Sequence, residues 1–229
     1  MGFANNNVVS IYGNTEYHGP LSTAQQANIA TAVKSIATMH LTILFRTMCA
    51  ELDDVLFDLS DGFMNRHKKA LYYDNIVELR TKNKQIELLF IRRFEELFSQ
   101  ALLNTPHEID KTSLVDSLEE SLSIENDELE ASIMLAHFTA KAGKDYKDKL
   151  DLMQNGFDNL FKETASSSIY NPLDPALICD AFKVATNTLD SYTVHKAMVF
   201  DYFDNDVMQK LGEMYDQINA LFIKVGLDA

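Results

Sequence analysis

Apolar residues recur at three and four positions along most of this chain, the repeat of one helix face. The first stripe runs through Ile29, Val33, Ile36, His40, Leu44, Met48, Leu52, Val55 and Leu59. Ser22 and Gln25, three positions apart just before it, have the capping-box spacing, and Asp61-Gly62 breaks it. At ~1.5 Å per residue such a helix exceeds 50 Å, so it needs a partner helix of similar length. A second stripe, over about 72–103, uses Tyr72, Ile76, Leu79, Ile86, Phe90, Phe94, Leu97 and Ala101. The two stripes predict a long antiparallel hairpin with a seam of Leu44, Met48, Leu52, Ile76, Leu79, Ile86 and Phe90. Asn83 interrupts the second stripe, as either a register-setting polar contact in the seam or an exposed position.

Beyond Pro106 the pattern weakens into short acidic steps (SLVDSLEESLSIEND) and then strengthens again. Helices are expected over about 127–142 on Leu129, Ile133, Met134 and Phe138, ended by Gly143, and over 144–162 on Tyr146, Leu150, Met153, Phe157, Leu160 and Phe161. Asn171-Pro172 and Asp174-Pro175 are two X-Pro steps that keep the chain out of α geometry. Asp174 can then cap a helix with Pro175 at its first position, on Leu177, Ile178, Ala181, Phe182, Ala185 and Leu189. Helices over about 191–203, on Val194, Met198, Val199 and Tyr202, and 206–225, with Gly226 after the end, complete an all-α reading. The expected organisation is a tail over 1–21, the long hairpin over 22–104, an acidic connector over 105–127 and a smaller acidic helical subdomain over 128–229.

Composition alters this picture in two places. The net charge is −14, and 229 residues hold 8 Gly and 4 Pro, few for a turn-rich β fold. Nucleic acid and anionic membrane are therefore disfavoured partners. No run reads as apolar and long enough to span a membrane, so no membrane insertion is expected. The charge is also uneven: up to Arg93 there are 10 Lys/Arg against 9 Asp/Glu, and after it 10 against 25. Arg66, Lys68, Lys69, Arg80, Lys82, Lys84, Arg92 and Arg93 form a basic stretch, open to three readings: a solvated face, an anion or nucleotide site, or pairing with this protein's own acidic half. Cys49 and Cys179 sit in apolar patterns and read as buried free thiols, which suits a reducing cytoplasm.

Catalytic patterns are missing from the sequence. The six histidines have no metal-ligand spacing, and Asp201, Asp204 and Asp206 imitate a calcium loop without its glycine or closing glutamate. There is no Gly-rich phosphate loop and no nucleophile elbow. No enzyme and no cofactor are expected. The favoured function is an interaction or regulatory module for protein partners, a second copy of the chain among them. The alternative is a nucleotide sensor taking an anionic ligand at 66–93.

Three stretches carry a family resemblance: LYYDNIVELRTKNKQIELLFIRRF, NPLDPALICDAFKVATNTLD and FDNDVMQKLGEMYDQINALFIKVG. They resemble the N-terminal region of a bacterial family of unknown function, large cytoplasmic proteins often mislabelled thymidine phosphorylase. The specific matches are Asn171, Pro172, Leu173, Pro175, Cys179, Ala181 and Phe182, then Tyr215, Asp216, Ile218, Asn219, Leu221, Ile223 and Gly226. Departures fall at Ile178, Met214 and Val225. The resemblance implies that the chain is the N-terminal part of a longer signalling protein whose far end is similar to PilZ domains, which bind cyclic di-GMP. It supplies no catalytic residues.

Overall fold

A computed structural model describes residues 21–62, 66–103, 126–162, 169–189 and 194–227, with side chains outside the description at 60–62, 66–72, 75, 126–128 and 194–196. Of the expected tail (1–21) all but Leu21, and of the expected connector (105–127) all but its last two positions, lie outside the described residues. The helices are α1 (Thr23–Gly62), α2 (Arg66–Leu102), α3 (Asn126–Asp145), α4 (Lys147–Phe161), α5 (Pro175–Thr186), α6 (Val194–Asp206) and α7 (Gly212–Lys224), with a 3-10 turn at Met208–Lys210. No strand occurs among the described residues, and the all-α class stands.

Local chemistry places the ends. The backbone N–H of Ser22 donates to Gln25 Oε1 at 2.9 Å, and that of Gln25 to Ser22 Oγ at 3.4 Å, so the capping box forms. The Asp174 carboxylate accepts from the Ala176 N–H at 2.8 Å with Pro175 behind it. Gly226 takes φ +75, which lets the Leu227 N–H reach back to the Phe222 carbonyl at 2.9 Å and close α7.

The hairpin forms as α1 against α2, but α1 also packs on α6 and α7, and α2 on α5. One buried cluster runs from Val33 to Leu227 through every helix. The seam residues Met48, Leu52, Ile76, Leu79, Ile86 and Phe90 are buried in it, and Leu44 packs partly buried against it. At its centre Phe90 lies 5.6 Å from Phe45, 6.2 Å from Phe182 and 6.1 Å from Phe203, while Phe182 stacks on Phe203 at 3.7 Å. Aromatic rings from α1, α2, α5 and α6 thus meet in one place.

Several sequence expectations shift. The buried line of α1 is Ala30, Val33, Ala37, Leu41, Phe45, Met48, Leu52 and Leu56, one register over from much of the expected stripe. Alanines at 30 and 37 let neighbouring helices approach, whereas His40 is held at the edge by a 3.0 Å hydrogen bond with Gln217 of α7, and Leu59 is exposed. On α3 the inward face is Ala131, Leu135, Phe138 and Ala142, leaving Ile133 exposed. Gly143 does not end α3, which continues to Asp145. The expected helix over 206–225 is interrupted over Val207–Leu211: α6 runs through Asp206, the 3-10 turn follows and α7 begins at Gly212, with Tyr146 Oη donating to the Gln209 carbonyl at 2.6 Å and Lys149 Nζ to the Gly212 carbonyl at 3.2 Å. Side chains of α3–α4 thereby replace helical hydrogen bonds.

The membrane expectation rested on a reading that needs correction. By length and composition α1 is apolar enough over Thr23–Leu59 to cross a membrane, with hydropathy 1.2. The cause is threonine in place of charge. Between Thr23 and Ala50 the only charged residues are Lys34 and Arg46, and Thr31, Thr38, Thr42 and Thr47 return their hydroxyls to carbonyls four residues back. In this fold the buried line of that helix belongs to the shared core.

One glycine is required by packing. A Cβ on Gly156 would stand 2.5 Å from Cδ2 of Phe222, a buried ring that itself sits edge-on to Phe157 at 5.1 Å. Here α4 and α7 approach more closely than any side chain allows.

Candidate interaction surface

The basic stretch is largely consumed by the protein's own groups. Arg80 grips Asp53 of α1 with two bonds, Nε–Oδ1 at 2.6 Å and Nη2–Oδ2 at 2.8 Å. Lys82 pairs with Glu78 at 3.0 Å and donates to the Thr188 carbonyl at 2.8 Å. Arg92 pairs with Glu96 along its own helix, and Arg93 reaches Asp180 of α5 at 3.1 Å. Ion pairs within the chain engage Arg80, Lys82, Arg92 and Arg93, but only Arg92 and Arg93 pair with carboxylates of the acidic half beyond Arg93, Glu96 and Asp180, while Lys82 reaches that half through the Thr188 carbonyl. Lys84 is exposed. Arg66, Lys68 and Lys69 fall on the start of α2, and their side chains lie outside the described residues.

A residue the sequence reading never singled out completes the pattern. Arg46 of α1 grips Glu87 of α2 through Nε–Oε2 at 2.8 Å and Nη2–Oε1 at 2.6 Å. The carboxylate partner, through hydrogen bond and charge, pushes each of the Arg46 and Arg80 guanidiniums further up. These two bidentate forks cross the outer groove of the hairpin, with a depression of about 390 Å³ between them.

The lining of that depression falls into five pairs, Phe45 with Leu79, Arg46 with Arg80, Cys49 with Asn83, Ala50 with Lys84 and Asp53 with Glu87. Every α2 member stands 34 positions after its α1 counterpart. Because the helices run antiparallel, a constant offset of this kind means that a quasi-two-fold axis perpendicular to the groove exchanges α1 with α2. The relation extends outward to Met39 and Tyr73, Ile43 and Val77, and Phe57 and Ile91. Each helix therefore carries an arginine followed seven residues later by a carboxylate, with large apolar residues on both sides. That recurrence is the sequence signal that would have located Arg46, Asp53 and Glu87. Asn83 is half-buried in the groove wall, between its two expected positions.

The same face is rich in exposed apolar area. Met39, Ile43 (55% exposed) and Phe57 lie along α1, and Tyr73 and Val77 along α2. Charged forks at the middle and greasy residues toward both ends resemble the composition of protein-docking faces.

The thiols confirm the expected free state. Cys49 and Cys179 are both buried and unpaired, and burial pushes each from the ordinary 9.0 to about 12. An unfolded chain releases these protons from about pH 9, whereas the folded chain keeps them until about 12. Stability is therefore complete below 9 and falls as pH rises across that window, by up to about 1.4 kcal/mol per pH unit for each thiol. Thermal melts followed by circular dichroism from pH 8 to 11 are expected to show this fall. A Cys49→Ala/Cys179→Ala chain should show a shallower one.

Asp204 and Asp206, part of the imitation calcium loop, are occupied by Lys141 at 2.8 Å and Lys210 at 2.6 Å. Among the described residues no three His, Cys, Asp or Glu groups are placed to hold a metal ion.

The residues that carry the family resemblance form a joint on the far side of the core. Asn171 Oδ1 accepts from the Leu173 N–H at 3.0 Å and turns the chain into α5. Tyr215, wholly buried, donates its hydroxyl to the Leu173 carbonyl at 3.1 Å and meets Tyr146 edge-on at 5.4 Å. Burial pushes the Tyr215 phenol well up, so it stays a donor. Asn219 Nδ2 donates to the Lys149 carbonyl at 3.1 Å. These matched positions hold α4, α5 and α7 together, a structural duty. No curated protein and no solved structure matches the chain. A family model described as "Protein of unknown function (DUF1631) N-terminal domain" matches residues 25–226. That match spans both the hairpin with its groove and the joint, and the chain belongs to the DUF1631 N-terminal domain family.

Proposed function

We propose that this chain is a non-enzymatic interaction module, the N-terminal part of a larger cytoplasmic signalling protein, which docks protein partners through the outer groove of its hairpin. One observation carries the reading: large apolar side chains stand exposed on both helices beside arginines already committed to carboxylates of the same chain. Such a face favours a macromolecular surface over a free anion, because a phosphate would have to displace a bidentate carboxylate to reach either guanidinium. The alternative, a nucleotide sensor at 66–93, draws less support, since four of its five described cations are engaged and only Lys84 stands apart. The link to cyclic di-GMP signalling rests on the resemblance to a family with a PilZ-like far domain. The net charge of −14 supports partners other than nucleic acid.

The test is capture from a bacterial lysate with three baits: the wild-type chain, Ile43→Asp/Val77→Asp, and Ile133→Asp as an exposed apolar control on α3. Partners held by the wild type and the control are expected to be lost from the groove variant. Identical captured sets on all three baits would contradict the proposal.

A further inference from the structure

From the quasi-symmetry of the groove we infer that its occupant is a second copy of this chain, packed face to face; this rests on the interaction-module reading and names its partner. A closed dimer needs a surface complementary to itself, so that each residue meets its opposite number's counterpart. This face satisfies that requirement through its charges. With the dimer axis lying along the groove, α1 of one copy covers α2 of the other. Arg46 then stands over the partner's Glu87 and Asp53 over the partner's Arg80. With the axis in the same plane but across the helices, α1 covers the partner's α1 in reverse, and Arg46 stands over the partner's Asp53. In both arrangements every guanidinium falls between two carboxylates, because the offset of 34 positions repeats arginine and carboxylate in the same order on both helices.

The remaining residues agree with this pairing. In the first arrangement Ile43 faces the partner's Ile91, Phe57 faces the partner's Val77, and Lys84 lies over the partner's Ala50. Apolar ends meet apolar ends, and the longest flexible stem in the depression covers its smallest residue. The forks Arg46–Glu87 and Arg80–Asp53 are solvent-facing in one copy, with the arginine side chains 67% and 56% exposed, so singly they add little to stability. Joined across the axis they become squares of alternating charge removed from water together, where opposite neighbours attract and any like pair is strongly disfavoured.

The experiment reverses every charge on the face while keeping each fork intact. In Arg46→Glu/Asp53→Arg/Arg80→Asp/Glu87→Arg each fork is rebuilt with its polarity turned round, so the fold and the self-complementarity are retained. Sedimentation equilibrium is expected to show dimers for the wild type and for this variant alone. In native mass spectra of an equilibrated mixture, mixed dimers are expected to fall more than about tenfold below their statistical share, because arginine now meets arginine across the axis. Ile43→Asp is expected to be monomeric with unchanged helicity. Mixed dimers at the statistical share would place the contact on another face and overturn the inference, as would a wild-type chain monomeric at every concentration. If that monomer still loses captured partners on Ile43→Asp/Val77→Asp, the interaction-module reading stands and only the identity of the occupant falls.

Discussion

Phe90→Ala is expected to lower the stability of the whole described fold by about 3–5 kcal/mol, in a single cooperative transition. Phe90 is fully buried and touches aromatic rings from α1, α5 and α6, so its removal leaves a void bordered by Phe45, Phe182 and Phe203. Phe45 lies more than a hundred residues before Phe182 and Phe203 in sequence. None of them can close the gap without moving the helix it belongs to. Chemical denaturation followed at once by circular dichroism and by tyrosine fluorescence is the measurement. Coincident transitions at a reduced midpoint are the expected result, because the hairpin and the later helices share one core. Two separated transitions, with only the earlier residues destabilised, would mean that the hairpin folds by itself.

Tyr215→Ala is expected to cost a similar amount, about 3–5 kcal/mol, and Tyr215→Phe divides that cost into its parts. The phenol ring fills a fully buried position against Tyr146, and its hydroxyl donates to the Leu173 carbonyl in the turn between two prolines. Phenylalanine keeps the ring and leaves that carbonyl short of a donor, a penalty of about 1–3 kcal/mol. Comparing the two variants by urea denaturation separates packing from hydrogen bonding. A neutral Tyr215→Phe would show that the joint is held by packing alone. In either case self-association through the groove should be unchanged, since Tyr215 belongs to α7 and the groove to the outer side of α1 and α2.

How much of this was legible in the sequence depends on the range of the interactions involved. Caps and turns are local, so Ser22 with Gln25, Asp174 with Pro175, and Gly226 could be read directly. The hairpin seam was legible too, because Met48, Leu52, Ile76, Leu79, Ile86 and Phe90 repeat at helical spacing. Register within a helix was less so. Ala30 and Ala37 are buried because small residues admit neighbouring helices, whereas apolarity alone favoured Ile36 and His40. Ile133 illustrates the converse, a large apolar residue facing solvent because alanines at 131 and 142 define the packed side. The break before Gly212 depended on side chains sixty-odd residues away, Tyr146 and Lys149, which no local pattern contains.

The candidate surface was harder still. Eight basic residues were conspicuous as a run, yet four of the five whose side chains are described, Arg80, Lys82, Arg92 and Arg93, answer to carboxylates on other turns and other helices. Arg80 answers to Asp53, Arg93 to Asp180, and the unmarked Arg46 to Glu87. The matching order of arginine and carboxylate on α1 and α2 is present in the sequence, but it acquires meaning only once the helices are known to be antiparallel and in contact. The likeness to the family pointed elsewhere, to the Asn171–Phe182 and Tyr215–Gly226 segments, whose side chains brace the core.

Hydroxyl-radical footprinting of the whole chain, dilute and then concentrated, tests most directly whether the groove is the docking face. Oxidation of Met39, Phe57 and Tyr73 is predicted to fall on concentration, while Ile133 and Ile223, exposed on other helices, keep their reactivity. Unchanged oxidation along the groove, with protection at Ile133 or Ile223 instead, would contradict the account.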